Sequence, residues 1–373
     1  MHWISRVSSI LVLEALTIGF LEAAPGLRAR GPALPSTTAV ISRLESEIPD
    51  LMKQGRVPGM SIALIRDGKT TWLHGFGVKD KKTEEPVTTD TVFEAASLSK
   101  PVFTYGVLKL VDQEKLDLDT PLSSYLPKPY IQDERLGKIT ARLVLSHRTG
   151  FPNWRGSDGS LSIYFSPGER FSYSGEGYIY LQRVVEQITG KPLNAYMDAA
   201  VFTPLGMTSS SYVWKPSFDS LTATAYDSKG IPADLWKPTE AGAASSLNTT
   251  ARDYALFVDA VLNGKGLSPS TLRQMETPHI ALDPSCRICI KQEPKELSKT
   301  LFWGLGWGIQ REHGVVMLWH WGDNGAFKAF VMADPAAKSG FVMFANGEGA
   351  LDIAKPIVDT AMDTDSLAFA WLK

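Results

Sequence analysis

The sequence predicts an α+β fold in which helices flank an antiparallel β-sheet, with an all-helical domain inserted between the two parts of the sheet domain. Strand-like runs occur near both ends of the chain, and the middle of the chain has mostly helical patterns. Hydrophobic residues make up 44% of the 373 residues, which is enough for a large buried core. We therefore expect residues 38–120 and 301–373 to form the sheet domain and residues 121–300 to form the helical domain.

Two patterns near the start of the chain predict a helix and then a hairpin. Apolar residues recur at helical spacing from Val40 to Met52, and Gly55 follows as a stop signal. The strand-like runs MSIALIR and KTTWLHGFGV are separated by Asp67 and Gly68. Because Asp-Gly tolerates the positive φ angles of a tight turn, these runs predict a β-hairpin.

Helical patterns dominate the middle of the chain, and sheet patterns return after residue 301. Apolar residues recur at helical spacing after Pro101, and the segments ITARLVLSH, GYIYLQRVVEQITG and TARDYALFVDAVLNG show similar patterns. Short aromatic and β-branched runs between turn residues then predict strands. The segment LDIAKPIVDTAMD predicts a closing helix with Pro356 in its first turn, where a proline is tolerated.

The N-terminal residues have the pattern of an export signal. In residues 1–24, one arginine precedes an apolar stretch that ends in two alanines, which predicts a signal peptide and an exported protein, periplasmic or secreted. An unprocessed N-terminal helix is the alternative. Glu14 interrupts the apolar stretch, which disfavours a stable membrane span. Residues 25–37 have the composition of a linker.

Composition excludes several classes of function. With 38 basic and 40 acidic residues and a net charge of −2, the chain lacks the basic surface of a nucleic-acid-binding protein. The two cysteines, Cys286 and Cys289, exclude a disulfide framework, and a local disulfide or two free thiols are favoured over a metal site. We predict no metal and no cofactor, and nothing in the sequence indicates an oligomeric state.

The stretch EAASLSKPVF places a serine and a lysine where they could carry out catalysis. Ser97 and Lys100 are three residues apart at a predicted helix start, so they share one face, whereas Ser99 points elsewhere. A serine hydroxyl needs a base within hydrogen-bonding distance to act as a nucleophile. Lysine can be that base only if burial or a neighbouring cation lowers its pKa.

Two later segments supply partners for this pair. Tyr173 lies in GERFSYSGEGYIY, in a turn just before a predicted helix, and the segment LWHWGDNG places His320, Trp321 and Gly322 at the end of a predicted strand. Each of these residues alone is more often a core aromatic or a buried histidine than a catalytic group. Their order and spacing relative to Ser97 and Lys100 favour a shared site.

These motifs resemble those of the penicillin-recognising serine hydrolases. The resemblance is to the class C β-lactamase-like branch, which also contains family VIII carboxylesterases and D-Ala-specific peptidases. The family motifs S-x-x-K, Y-x-N, and K-T-G or H-x-G have counterparts at residues 97–100, 173–175 and 320–322. Flanking segments such as LVLSHRTGFP and VFTPLGMTSSSYVW extend the resemblance over about residues 38–350. It implies a helix-flanked antiparallel sheet with an all-helical domain.

The resemblance also implies roles for the motif residues. Ser97 would be the nucleophile, and Lys100 and Tyr173 would share the general-base and general-acid work. No cofactor would be needed, and the substrate would be a small ester or amide.

The third motif would form part of the substrate pocket. His320 would line the pocket and support Tyr173 or a substrate oxygen, and Trp321 and Gly322 would lie in its wall. The backbone N–H groups of Ser97 and Asp323 would form the oxyanion hole.

Two positions differ from the most common family pattern. Gly175 replaces the asparagine of the second motif and so removes a side-chain amide that orients substrates, although Glu176 follows it. His320 replaces a lysine and so removes a permanent cation that would attract a carboxylate. Both differences favour esters without a carboxylate.

We therefore predict a serine hydrolase that acts through an acyl-enzyme on Ser97, and small acyl esters are the favoured substrates. A β-lactamase or a D-amino-acid peptidase is the first alternative, and a penicillin-binding receptor that acylates without turnover is the second. An α/β-hydrolase with a Ser-His-Asp triad is disfavoured, because the chain contains no G-x-S-x-G motif.

Overall fold

An antiparallel sheet of eight strands organises residues 36–373, which are the residues described by the computed structural model. The signal peptide predicted for residues 1–24 lies outside the described residues, as does nearly all of the predicted linker, and export stays a prediction. The strands are β1 (Gly59–Arg66), β2 (Lys69–Gly77), β3 (Phe93–Glu94), β4 (Asn248–Thr249), β5 (Ile280–Ala281), β6 (Leu301–Trp303), β7 (Gly308–Glu312), β8 (Val315–Asn324), β9 (Phe327–Asp334) and β10 (Ser339–Ala345).

The strand order shows how the two ends of the chain build one sheet. The order is β2-β1-β10-β9-β8-β7-β6-β5, and each neighbouring pair is antiparallel. The first hairpin therefore pairs with the last strand, and the remaining strands follow as a meander. Strands β3 and β4 form a separate two-stranded ribbon. These features confirm the predicted antiparallel sheet.

Helices cover the sheet and fill the middle of the described chain. They are α1 (Thr37–Gln54), α2 (Ser99–Asp112), α3 (Ala141–Leu145), α4 (Gly175–Thr189), α5 (Leu193–Met197), α6 (Thr203–Leu205), α7 (Ala251–Leu262), α8 (Pro269–Glu276), α9 (Ala350–Met362) and α10 (Ala368–Leu372). Short 3₁₀ turns occur at Ala96–Leu98, Leu122–Tyr125, Glu134–Lys138 and Pro216–Phe218, and a π-helical turn lies at Asp198–Phe202. Among residues 36–373, no helix is long and apolar enough to cross a bilayer.

Both faces of the central strands are buried, because each face has its own layer of helices. On one face, Ile62 of β1 and Met343 of β10 pack in a core with Leu44 of α1. On the opposite face, Ala63 and Val342 pack in a second core that includes α2, α4 and α7. This alternation follows from the two-residue period of a strand. Strands covered on both sides contain nearly continuous apolar runs, as β1 does.

The first helix and hairpin form where their patterns predict them. Helix α1 ends at Gln54 with Gly55 as its C-cap. Strands β1 and β2 are joined through Asp67 and Gly68, whose φ angles are 51° and 69°. Two consecutive left-handed residues make the tight turn whose twist matches that of the paired strands.

Helix α9 differs from its predicted position. The helix begins at Ala350, so Pro356 lies inside it and not in its first turn. Ala350, Ile353 and Ile357 are buried in the core beside α1. Burial of this apolar face offsets the missing backbone hydrogen bond at the proline, and helix formation therefore extends further toward the N-terminus than the local pattern suggests.

Helix α7 lies within the segment predicted as the helical domain, but it contacts β1, β2 and β10 of the sheet. Its Thr250 N-cap side chain accepts a hydrogen bond from the Asp253 backbone N–H. The Asp253 carboxylate instead accepts from Ser209 and Ser210, so the predicted capping pair is formed in one direction only. By their contacts, Pro35–Lys373 cluster as one unit, and the division into two domains stays a prediction.

The candidate site lies where β8 extends beyond the end of its pairing with β7. Pairing of β7 with β8 stops at Trp319, whereas β8 continues to Asn324 and pairs there with β9 alone. The 3₁₀ turn at Ala96–Leu98 packs against β8, and Gly322 in the last part of this strand lies against the Ala95 carbonyl. The turn that carries Ser97 therefore lies beside the strand that carries the third motif.

Candidate active site

Ser97 lies in a strained turn that is fixed from both sides. The preceding residue, Ala96, has a φ angle of 49°, a left-handed conformation that costs free energy for any residue with a Cβ atom. Strand β3 ends immediately before the turn and pairs with β4, and the Ala95 N–H donates to the Leu247 carbonyl at 2.8 Å. Strain held in this way at a nucleophile is typical of active sites.

Ser99 has a structural role. It is fully buried, and its Oγ donates to the Ala96 carbonyl at 2.6 Å and accepts from the Leu247 N–H at 3.0 Å. These bonds help to hold the strained turn. Ser99 therefore points away from Ser97, as the helical spacing predicts.

Lys100 is fully buried in the first turn of α2, with its Nζ beside Ser97. Nζ lies 3.1 Å from Ser97 Oγ and donates to the Ala244 carbonyl at 2.7 Å. It also lies 4.8 Å and 5.6 Å from the ring centres of Tyr173 and Tyr178. Burial lowers the pKa of Lys100 from 10.5 to about 7. At neutral pH a large share of Lys100 is thus an uncharged amine that can accept a proton.

Tyr173 lies just before α4, with its ring in contact with the same lysine. Its side chain is buried, and its backbone N–H donates to the Arg287 carbonyl at 2.9 Å. Burial raises the pKa of the phenol well above 10, and the nearby Ser97 hydroxyl offsets part of that rise. Ser97 is the neighbour that acts on the phenol oxygen, although no described residue lies in full hydrogen-bonding geometry with it. Tyr173 is therefore a neutral proton donor facing the site, whereas phenolate is strongly disfavoured.

His147 packs against Tyr173 with ring centres 4.2 Å apart. Its Nδ1 accepts from the Ser174 N–H at 3.0 Å, so the neutral ring carries its proton on Nε2. Burial and the positive charge of Lys100 lower the pKa of His147 well below 6.5. His147 thus holds the backbone beside Tyr173 and stays uncharged.

The structure corrects the expectation that His320 lines the pocket. Its ring is fully buried, with its centre 5.4 Å from that of Trp303 and 5.2 Å from that of Trp321. Nδ1 lies 2.8 Å from the Trp321 carbonyl and so donates to it. Burial and then the charge of Lys100 lower the pKa of His320 to about 3. His320 lies beneath the surface of the cavity, with its ring centre 6.2 Å from that of Tyr173, whereas Trp321 and Asp323 line the cavity.

A cavity of about 530 Å³ opens onto Ser97 and Tyr173. Trp321 and Asp323 of the third motif also line it, whereas Gly322 is buried. The sequence did not mark the remaining lining residues as part of the site, and they are Asn153, Ser285, Cys286, Arg287, Ile288 and Gln292. A larger groove of about 840 Å³ lies between α1 and α9, but none of its lining residues is a lysine, histidine or cysteine.

The loop after β5 forms one wall of the cavity, and Cys286 and Cys289 form a disulfide within it. The Asp283 carboxylate accepts from the Ser285 N–H and hydroxyl, both at 2.7 Å, and from the Lys295 N–H at 2.7 Å. The loop carries the Arg287 carbonyl that binds Tyr173. No sequence signal marks these residues as part of the site, because only the tertiary fold brings the loop to it.

Gly322 lies directly against the turn that carries Ser97. A Cβ atom at Gly322 would lie 2.4 Å from the Ala95 carbonyl oxygen, so only glycine allows this approach. The Asp323 carboxylate is held by Lys328 at 2.6 Å. Asp323 and Ser97 line the same cavity, which is the placement that a shared oxyanion hole requires.

Glu176 does not replace the missing asparagine of the second motif. Its side chain is buried and accepts hydrogen bonds from Tyr130 and Arg155. Arg155 also forms an ion pair with Glu176. Because a buried carboxylate needs such partners, Glu176 is committed to a structural role at the start of α4.

Comparison with known proteins identifies a matching family model and several relatives. The family model described as Beta-lactamase matches residues 44–359. Curated relatives include the "Unguisins hydrolase ungD" of Aspergillus violaceofuscus, 24% identical over 83% of this chain, and a "Beta-lactamase" of Lysobacter lactamgenus, 25% identical over 88%. "Esterase EstB" of Burkholderia gladioli is 28% identical over 47% of this chain. The chain spans 62%, 93% and 52% of these relatives, respectively.

The fold has a close counterpart among solved structures. A class C beta-lactamase superposes with a TM-score of 0.75 at 19% sequence identity, covering 90% of this chain and 99% of that one. At this level of identity the likeness establishes the fold alone. The predicted β-lactamase-like fold is confirmed, whereas the catalytic roles of the site residues stay predictions.

The pKa of Lys100 predicts a pH dependence. Only the uncharged amine can accept the Ser97 proton, so kcat/KM for an ester substrate should rise with pH and level off above about 7. Because the pKa of Tyr173 is well above 10, loss of its proton should not reduce activity over the neutral and mildly alkaline range. A pH–rate profile checks this, and a limb near pH 10.5, the ordinary pKa of lysine, would contradict it.

Gly322→Ala should separate β8 from the nucleophile turn, because its new Cβ atom would overlap the Ala95 carbonyl oxygen. We expect kcat/KM for an ester to fall by about tenfold or more as the oxyanion site loses its geometry. Gly137→Ala is the matched control, since no atom lies within 4 Å of the position of its added Cβ. Steady-state kinetics and melting temperatures of both variants test this, and wild-type activity in Gly322→Ala would contradict it.

Proposed function

The chain belongs to the beta-lactamase family, and from that membership we propose that it is a serine hydrolase that acylates Ser97 and releases the acyl group to water. Small acyl esters are the proposed substrates. The observation that carries the proposal is the 3.1 Å contact between Ser97 Oγ and the Nζ of a buried lysine. A lysine with a pKa of about 7 is a base suited to neutral pH.

Acylation begins with transfer of the Ser97 proton to the uncharged amine of Lys100. Ser97 Oγ then bonds to the acyl carbon, and the carbonyl electrons move onto oxygen, where the N–H groups of Ser97 and Asp323 stabilise the anion. Collapse of this intermediate breaks the bond to the alcohol oxygen. The leaving oxygen takes a proton from the Tyr173 hydroxyl, which regains one from the Lys100 ammonium.

Deacylation reverses these roles with water in place of the alcohol. Water gives a proton to the phenol–amine pair as its oxygen bonds to the acyl carbon, and Ser97 takes a proton back as it leaves. Both steps need one proton to move among Ser97, Lys100 and Tyr173. All three groups are buried or line the cavity, so bulk water competes little for that proton.

Two features favour esters over β-lactams and peptides. Position 175 has no side-chain amide, and His320 is buried, with a pKa of about 3 that keeps it uncharged. The third motif therefore supplies no cation for a substrate carboxylate. One relative of the chain is named as an esterase.

One observation favours the second candidate, a β-lactamase or a D-amino-acid peptidase. Arg287 lines the cavity and forms no ion pair with any residue in 36–373. An unpaired guanidinium in the same cavity as Ser97 would attract a carboxylate. The same acylation chemistry then applies to an amide bond.

Turnover of two substrates distinguishes these functions. We expect steady hydrolysis of a short-chain nitrophenyl ester, slow or no hydrolysis of a chromogenic cephalosporin, and no acyl-enzyme by intact mass in Ser97→Ala. Ser99→Ala should keep far more activity on the ester than Ser97→Ala does, but it should lose about 1 kcal/mol or more of stability, since the buried Leu247 N–H loses its acceptor.

Full ester turnover in Ser97→Ala would overturn the mechanism. Steady cephalosporin turnover exceeding ester turnover would favour the second candidate. A single burst with a stable adduct would instead indicate a penicillin-binding receptor.

A further inference from the structure

The segment from Pro152 to Arg155 crosses the start of α4 and is bonded to it at successive residues. The Ser174 hydroxyl donates to the Pro152 carbonyl at 2.7 Å, and the Glu176 N–H donates to the Asn153 carbonyl at 2.9 Å. Arg155 adds its ion pair with Glu176. The segment is therefore held rigidly beside the second motif.

This segment occupies the space that a side chain at position 175 would need. A Cβ atom at Gly175 would lie 2.8 Å from a ring carbon of Trp154 and 3.0 Å from the Asn153 carbonyl oxygen. The loss of an asparagine from the motif and the approach of residues 153–154 are thus parts of one arrangement. An amide is missing from position 175, but another amide lies next to it.

The orientation of the Asn153 amide is fixed by a backbone group. Its Oδ1 accepts from the Gly175 N–H at 2.9 Å, and because a backbone N–H can only donate, the atom facing it must be the oxygen. The NH₂ group therefore faces away from α4. Asn153 lines the cavity together with Ser97 and Tyr173, and no described residue accepts a hydrogen bond from its Nδ2.

We infer that Asn153 is a specificity-determining residue that donates a hydrogen bond from Nδ2 to an amide carbonyl oxygen of the substrate, outside the scissile bond. The substrate class is then an ester that also carries an amide group. This inference rests on the proposed hydrolase function and narrows its substrates. A site that can hydrogen-bond a polar group discriminates against analogues that lack it, because its own donor is then left unpaired.

Asn153→Asp isolates the donor. The aspartate keeps an oxygen for the Gly175 N–H but has no N–H to offer the substrate. Three esters are compared: the nitrophenyl ester of pentanoic acid, the nitrophenyl ester of N-acetylglycine, and the acetate ester of hydroxyacetanilide, followed by proton release. The second carries an amide in the acyl part, and the third carries one in the alcohol part.

We expect Asn153→Asp to lower kcat/KM for one of the amide esters by about tenfold more than for the pentanoate ester. The amide ester whose kcat/KM falls shows whether Asn153 binds the acyl part or the alcohol part of the substrate. Gln292→Glu is the matched control, because it makes the same amide-to-carboxylate change in the wall of the same cavity and should shift all three esters equally.

An equal fall in kcat/KM for all three esters in Asn153→Asp would overturn the inference, since the segment would then only support Tyr173. No fall for any ester would also overturn it, since Asn153 would then not contact the substrate. The pentanoate ester tests the proposed function separately. If the wild-type protein did not hydrolyse it, or did so without Ser97, the hydrolase proposal would fail before the question of Asn153 arose.

Discussion

The removal of Lys100 from water is the constraint on which the rest of the site depends. A lysine on the surface would be charged at neutral pH and could not serve as a base. Here its side chain is fully buried, and burial is the cause of its lowered pKa. The free energy for this comes from packing of the sheet and helices around α2. The ability of this one amine to accept a proton at neutral pH thus depends on the whole core.

The surroundings of Lys100 are uncharged for the same reason. Burial lowers the pKa values of His147 and His320 and raises that of Tyr173, so each group is held in its neutral form. The ring Nε2 atoms of both histidines and the Tyr173 oxygen are buried without hydrogen-bond partners among the described residues. Such atoms cost about 1–3 kcal/mol each, a cost that proteins tolerate mainly at functional sites.

The sequence predicted the parts of the site that depend on local spacing. The pairing of Ser97 with Lys100 follows from one helical turn, and the first hairpin follows from the turn chemistry of Asp67 and Gly68. Tyr173 could be assigned only by resemblance, since no local pattern links it to Ser97 and Lys100, which lie more than 70 positions earlier in the chain. The full burial of His320 next to Tyr173 depends on tertiary packing around β8, which a local pattern does not show.

The amide of Asn153 and the wall formed by the loop after β5 could not be predicted, because both depend on tertiary contacts between distant segments. The sequence shows only that Gly175 replaces the asparagine of the motif. The close approach of Trp154 to Gly175 is a tertiary contact that the sequence does not show. Substrate specificity is accordingly the least readable property of this sequence. The chemistry lies in short motifs, whereas the shape of the pocket lies in the loops between them.

The most direct measurement is the pKa of Lys100 itself, obtained by NMR titration of protein labelled with ¹³Cε-lysine, with the resonance assigned by its loss in Lys100→Arg. The account predicts a midpoint at about pH 7, caused by burial. A midpoint near 10.5, the ordinary value for lysine, would show that the amine is hydrated and charged, and would contradict its role as the base.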